Sequence, residues 1–185
     1  MAAIELSDVH KSFGDVRALR GVDLEVEEGE VFGFLGPNGA GKSTVINILL
    51  DFVRPDQGEV GVLEHDARKD SVPIRERTGV LPEGYDLYDR LTAREHLRFA
   101  IESKEADDDP YPLLERVGLE DAIDRKAGGF STGMQQRLAL AMALVGDPDL
   151  LVLHDVPQLA GAVGIQPGGR FVENEQVGVA DQRHR

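Results

Sequence analysis

The segment Gly36-Pro37-Asn38-Gly39-Ala40-Gly41-Lys42-Ser43-Thr44 constrains this chain more than any other, because it satisfies the pattern G-x-x-x-x-G-K-[ST] in a context that gives the pattern meaning. Before it runs Val31-Phe32-Gly33-Phe34-Leu35, a nearly continuous apolar stretch that predicts a strand buried on both faces. After it, Val45, Ile46, Ile48, Leu49 and Phe52 recur at helical spacing, until Arg54-Pro55-Asp56-Gln57-Gly58 breaks the pattern. Strand, glycine-rich loop and helix in that order let successive backbone N–H groups turn inward around phosphate oxygens. The positive end of the helix dipole adds its field at the same place. Lys42 is then placed to reach the β- and γ-phosphates of a nucleotide, and the Ser43 hydroxyl to hold Mg²⁺. By itself the loop leaves the kind of nucleotide chemistry open.

The remaining composition narrows the setting. Among 185 residues, 34 are Asp or Glu and 20 are Lys or Arg, for a net charge of -14, which opposes binding to a phosphate polymer and argues against a nucleic-acid partner. Only five of the cations are Lys (11, 42, 69, 104 and 126), and the acids are spread along the chain, a balance expected of a protein from a salt-rich, halophilic cytoplasm. Cysteine is absent, which excludes disulfides, Cys-ligated zinc and thiol catalysis. The longest strongly apolar stretch, Leu138 to Val145, falls far short of the roughly 20 residues a membrane span requires, and the N-terminus lacks the pattern of a secretory signal. The expected location is the cytosol.

Period-two alternation in Ile4-Leu6 and Val22-Leu24-Val26 predicts a small antiparallel sheet at the N-terminus. Short strands are expected near Glu59–Leu63 and Thr78–Leu81. Thr92 with Glu95 forms a capping box for a helix to about Ser103. The acidic, proline-punctuated stretch from Glu105 to Pro112 reads as a solvated connector. A short helix around Leu113–Val117 and a longer one from Ser131 to Val145 follow, the latter with an apolar stripe of Leu138, Met142 and Val145. Leu150-Leu151-Val152-Leu153 is a further buried-strand pattern. Beyond it, residues 154 to 185 show neither period.

Phe130-Ser131-Thr132-Gly133-Met134-Gln135-Gln136-Arg137 opens the last long helix, and Ser131 with Gly133 puts a hydroxyl and an unobstructed backbone at a second helix N-terminus. Read alone, Ser131 is an N-cap. Taken with the phosphate loop, Met1 to about Leu153 resembles the nucleotide-binding subunit of an ATP-binding-cassette (ABC) transporter, export-type. The stretch Phe130-Ser131-Thr132-Gly133-Met134 is similar to the signature motif Leu-Ser-Gly-Gly-Gln, with Thr132 and Met134 as variants. The resemblance implies a head-to-tail pair of nucleotide-binding subunits, in which Ser131 and Gly133 of one close over the γ-phosphate held by the other. It implies ATP and Mg²⁺ as cofactors and a transmembrane permease subunit as partner. It also implies a peripheral position on the inner face of the cell membrane. Phe13 matches the aromatic that stacks on adenine. Glu83, in Leu81-Pro82-Glu83, stands where the family usually has a glutamine contacting Mg²⁺ and the attacking water. The residues after it, Leu87 to Thr92, resemble the surface that receives the membrane subunit.

The family's next element is an apolar strand followed by Asp-Glu-Pro, with an aspartate for Mg²⁺ and a glutamate as general base. Here the residues are His154-Asp155-Val156-Pro157. In register, His154 takes the place of the aspartate and Asp155 that of the base; with one residue inserted, Asp155 is the aspartate and Val156 replaces the base. The departure begins abruptly at His154, so residues 154–185 read as a truncated, frame-shifted or divergent tail. The expected fold is α/β: a P-loop nucleoside triphosphate hydrolase fold with an N-terminal antiparallel β subdomain and an inserted helical subdomain at about 84–146, C-terminally incomplete. The expected function is that of the ATP-binding subunit of an exporter. Alternatives are an ATP-binding remnant or regulatory module without turnover, and a soluble relative acting on ribosomes or DNA, which the charge disfavours.

Overall fold

The computed structural model describes residues 1–33, 39–82 and 84–153. They fall into two compact units, one over residues 1–74 and one over residues 75–153.

The first unit is built on a four-stranded antiparallel sheet. Its strands are β1 (Ala2–Phe13), β2 (Val16–Glu27), β3 (Gln57–Val62) and β4 (His65–Asp66), in the order β2-β1-β3-β4. The expected alternation sets the register: Leu6 stands between Leu24 and Val60, and Ile4 between Val26 and Val62. Ile4, Leu6, Val9, Leu19, Val22, Val26, Val60 and Val62 are buried, while Glu5, Asp23 and Glu25 between them face solvent. The far end of β1 is fixed by Asp56, whose carboxylate accepts from Lys11 Nζ at 2.9 Å and from the Ser12 N–H at 2.7 Å. Those two bonds hold the Asp56 carboxyl below the ordinary carboxylate value.

Helix α1 (Lys42–Leu49) packs against β3, burying Val45, Ile48 and Leu49. Two expectations fail here. Phe52 was counted on the helical face yet is 65% exposed. The helix ends at Leu49, Asp51 takes φ 54°, and the Phe52 N–H returns to the Asn47 carbonyl at 2.8 Å, a left-handed C-terminal cap that turns Phe52 off the stripe. Val31, Phe32 and Gly33 lie in no strand and are half-buried rather than enclosed on both faces. Phe34 and Leu35 of the same run lie outside the described residues.

The short helix α2 (Ser71–Glu76) follows β4 in the chain. In the second unit, β5 (Thr78–Leu81) and β6 (Leu150–Leu153) pair in parallel, from Thr78 opposite Leu150 to Leu81 opposite Leu153. Strand β6 was expected to be fully buried. Only Val152 is buried, because the described sheet has two strands and each therefore keeps an edge. Helices α3 (Ala93–Lys104), α4 (Pro110–Arg116) and α5 (Thr132–Ala143) share one core with β5 that includes Leu97, Leu114, Leu138, Leu140 and Val145. From Leu138 through the end of α5 and on to Val145 every position but Met142 is buried, so the expected stripe is a nearly all-round apolar surface.

The Thr92–Glu95 capping box forms with both of its bonds. The connector is shorter than expected, since Pro110 is buried at the first position of α4 and Asp109 caps that helix through the Tyr111 N–H. At the end of α3, Lys104 Nζ donates to the carbonyls of Thr78 and Val145, and its burial lowers its pKa.

Candidate functional site

Two helix starts carry the chemistry singled out in the sequence, one in each unit. The first is α1. Gly39 and Gly41 take φ of 86° and 87°, a region L side chains avoid. Gly41 is the N-cap of α1, and no side chain caps the helix. Its carbonyl accepts the Val45 N–H at 2.9 Å, so the helical ladder starts there. A Cβ on Gly41 would lie 2.9 Å from the Ala18 carbonyl oxygen and 2.7 Å from Leu19 Cδ2, so β2 presses directly on the loop. The first turn contains no acidic residue of its own to offset the positive end of the helix dipole. Lys42 and Thr44 are half-buried, Ser43 is exposed and Ala40 is half-buried. Gly36, Pro37 and Asn38 lie outside the described residues.

In the same unit Phe13 ends β1. Its ring is half exposed, with Lys11 Nζ over it at 5.4 Å. Asp56, by holding Lys11 and Ser12, fixes the strand end that presents this ring.

The second helix start is α5. Ser131 caps it, its hydroxyl accepting the Met134 N–H at 3.3 Å. Ser131 and Gly133 are exposed, and the first turn again has no acid. Nothing among the described residues comes within 4 Å of where a Gly133 Cβ would stand. One residue that sequence reasoning passed over secures this turn. Arg137 donates to the carbonyls of Val117 and Gly118 at 3.3 and 2.9 Å, and its Nε reaches the Gly133 carbonyl at 3.4 Å. A guanidinium therefore satisfies the carbonyls that α4 leaves open at its C-terminus, and ties α5 to them.

Glu83 and Asp155 lie outside the described residues. Each follows by two residues the end of a strand, Leu81 and Leu153, and these ends are paired side by side. Among the described residues no group of three or more His, Asp or Glu could hold a metal ion, and no helix is long and apolar enough to cross a membrane.

Comparison with known proteins agrees with this geometry. A family model described as "ABC transporter" matches residues 19–157. The ABC transporter ATP-binding protein NatA of Bacillus subtilis is 40% identical over 164 residues, 83% of this chain and 66% of that protein. The Nod factor export ATP-binding protein I of Burkholderia lata is 38% identical over 182 residues, 96% of this chain and 58% of that one. The chain thus spans less than two thirds of each relative's length. Among solved structures, an ATP binding subunit of an ABC transporter superimposes with a TM-score of 0.74 at 27% identity, over 87% of this chain and 71% of that one. CbiO1 from Clostridium perfringens, part of the cbiONQ transporter complex, gives 0.72 at 25%, over 82% and 64%.

Proposed function

The chain belongs to the ABC transporter family, in its ATP-binding part, and on that premise we propose that it binds Mg-ATP at residues 36–44 and serves as the nucleotide-binding subunit of an exporter whose membrane permease is a separate chain. The observation that carries this reading is the start of α1: a glycine N-cap with no capping side chain, no acid in the first turn, and Lys42 and Ser43 as its first two residues. The loop N–H groups and Lys42 hold the phosphate chain, and Phe13 takes the adenine face. Ser43 fits Mg²⁺, since its hydroxyl is an exposed hard oxygen donor beside the phosphate position; Glu83 and Asp155 complete the proposed donor set. When bound, Mg²⁺ neutralises charge on the phosphate oxygens.

In this reading the chain pairs head to tail with a second nucleotide-binding subunit, and Ser131 and Gly133 supply the anion-binding face opposite its nucleotide. One ATP domain covers 1–153 with a helical subdomain at about 84–146, and 154–185 is a divergent, truncated or frame-shifted tail. The protein works from the cytoplasm against the inner face of a membrane, in a salt-rich cell, without nucleic acid. Lys42→Ala tests the site: calorimetry with Mg-ATP in high-salt buffer should show affinity reduced by at least about tenfold, the scale of a charge-assisted hydrogen bond. Unchanged affinity would place the site elsewhere.

A second reading, ATP binding without turnover, is favoured by one sequence observation. Residues 154–156 offer a single carboxylate, Asp155, where in-line attack of water needs one group for Mg²⁺ and one for the water. Phosphate release at background level from a chain that binds ATP supports it. Mg-dependent release abolished by Lys42→Ala excludes it, and makes Asp155 or Glu83 the base.

A further inference from the structure

Of the described residues, only Thr78 and His96 are polar and buried, and His96 is 2% exposed on α3 with no part in the nucleotide site. Its two ring nitrogens have opposite duties. Nδ1 lies 2.8 Å from the Thr92 carbonyl oxygen, which can only accept, so Nδ1 carries the proton. Nε2 lies 3.0 Å from the backbone N of Tyr88, which can only donate, so Nε2 is the acceptor. Only the neutral Nδ1–H imidazole satisfies both; any other form sets N–H against N–H or oxygen against nitrogen.

The group that His96 holds is a loop that needs holding. Between Gly84 and Leu91 the chain has no strand or helix, and Tyr88 is 67% exposed with Asp86, Asp89 and Arg90 also facing solvent. Its far side is strapped by backbone bonds, the Ala127 N–H to the Leu91 carbonyl at 2.9 Å and the Gly128 N–H to the Asp89 carbonyl at 3.1 Å. A Cβ on Gly128 would approach Asp89 Cβ to 2.9 Å, so strap and loop are in direct contact. The strap reaches Asp89 and Leu91 but not Tyr88. His96 supplies that point, and Thr92, which accepts both the backbone N–H and the ring N–H of His96, links the fixture to the capping box.

We propose that His96 is a positioning residue: as the neutral Nδ1–H tautomer it accepts the Tyr88 N–H and so sets the shape in which the 84–91 loop presents Tyr88 to the permease. The proposal rests on the exporter reading for the permease alone; the tautomer and its hold on Tyr88 stand without it. Charged residues on the neighbouring segments, Glu95, Arg125 and Lys126 with those of the loop, are all exposed, so the bond works in surroundings without a buried counter-charge. Beside this acceptor the ring offers the loop a tilted contact with the Tyr88 ring, centroids 6.2 Å apart, which leucine and glutamine both remove, so the return of Tyr88 protection with glutamine isolates the acceptor.

The test uses the whole chain, isotope-labelled, with two variants. His96→Gln places an amide oxygen about where Nε2 stands and keeps an acceptor; His96→Leu keeps bulk and loses it. The ring ¹⁵N spectrum of the unmodified protein should show the proton on Nδ1. Tyr88 amide exchange and trypsin cleavage after Arg90 should each rise by about tenfold or more in His96→Leu and return toward the original in His96→Gln. Mg-ATP affinity should be the same in all three. A proton on Nε2 overturns the proposal, and this spectrum needs no variant to fold. So does a Tyr88 amide equally protected with leucine, or a loop opened equally by glutamine. Absence of Mg-ATP binding in the unmodified chain would instead defeat the function proposed above and leave the Tyr88 result to be read on its own.

Discussion

Replacing Gly41 by alanine should damage the phosphate loop far more than replacing Gly39, although the two have nearly the same backbone angle. Each substitution forces an L side chain into a left-handed conformation, φ 87° at Gly41 and 86° at Gly39, at a cost of about 1–2 kcal/mol. At Gly39 the cost ends there, since no described atom stands within 4 Å of the new Cβ. At Gly41 the methyl group meets Leu19 Cδ2 at 2.7 Å and the Ala18 carbonyl oxygen at 2.9 Å. The leucine can rotate. The carbonyl is backbone of β2 and cannot yield without moving the strand, so overpacking adds ~1–3 kcal/mol.

The expected totals are therefore ~2–5 kcal/mol for Gly41→Ala and ~1–2 kcal/mol for Gly39→Ala. The assay is exchange of the Val45 amide, whose bond to the Gly41 carbonyl opens the α1 ladder, together with the urea midpoint of the chain. A gap of 1.4 kcal/mol would appear as about a tenfold difference in Val45 exchange between the variants. Equal effects of the two substitutions would refute the reasoning, for they would mean that β2 does not brace the loop.

Two further outcomes follow from single contacts. Asp56 is held below its ordinary carboxylate value by Lys11 and the Ser12 N–H, so its contribution is complete above that value and is lost as pH falls through the depressed one; urea midpoints compared at about pH 5 and pH 2.5 should converge in Asp56→Asn relative to the unmodified chain. Arg137→Ala leaves the Val117 and Gly118 carbonyls without their donor and should cost ~1–3 kcal/mol, with exchange at the start of α5 rising first and Arg137→Lys restoring part of it.

What could be read in advance depended on whether the deciding interaction was local. The box at Thr92 and Glu95, the strand at Thr78–Leu81 and the N-cap at Ser131 are each decided within a few residues, and the structure has them where the pattern put them. Pro110 was read as a breaker because proline interrupts most helices, but at a first helical position its missing N–H costs nothing, and burial beside Leu113 and Leu114 makes it an anchor. Val31–Gly33 misled for the opposite reason, since apolarity shows that a segment could be enclosed while enclosure needs neighbours on both sides. His96 shares a helical face with Ala93, Leu97 and Ala100, a spacing legible in the sequence. Its acceptor role was not, because the donor, the Tyr88 N–H, comes from a loop whose path no periodicity describes.

Gly133 gives the sharpest separation between what this chain needs for itself and what a second chain would need from it. It sits in the first turn of α5, its φ is not positive, and outside its own helix turn no described atom lies within 4 Å of its would-be Cβ, so nothing among the described residues requires glycine there. Glycine is in fact the poorer choice, weaker than alanine by about 1 kcal/mol in a helix interior and by less in a first turn. Gly133→Ala should therefore leave the chain as stable as before or raise its urea midpoint slightly. A bare backbone beside the exposed Ser131 admits close approach of something external. If that is the phosphate chain on a second nucleotide-binding subunit, the methyl group stands in its way. Light scattering with Mg-ATP should then show pairing weakened in Gly133→Ala, while calorimetry shows unchanged binding at residues 36–44. Pairing as strong with alanine as with glycine would show that the α5 start does not face the partner's nucleotide, and the head-to-tail arrangement would have to be given up.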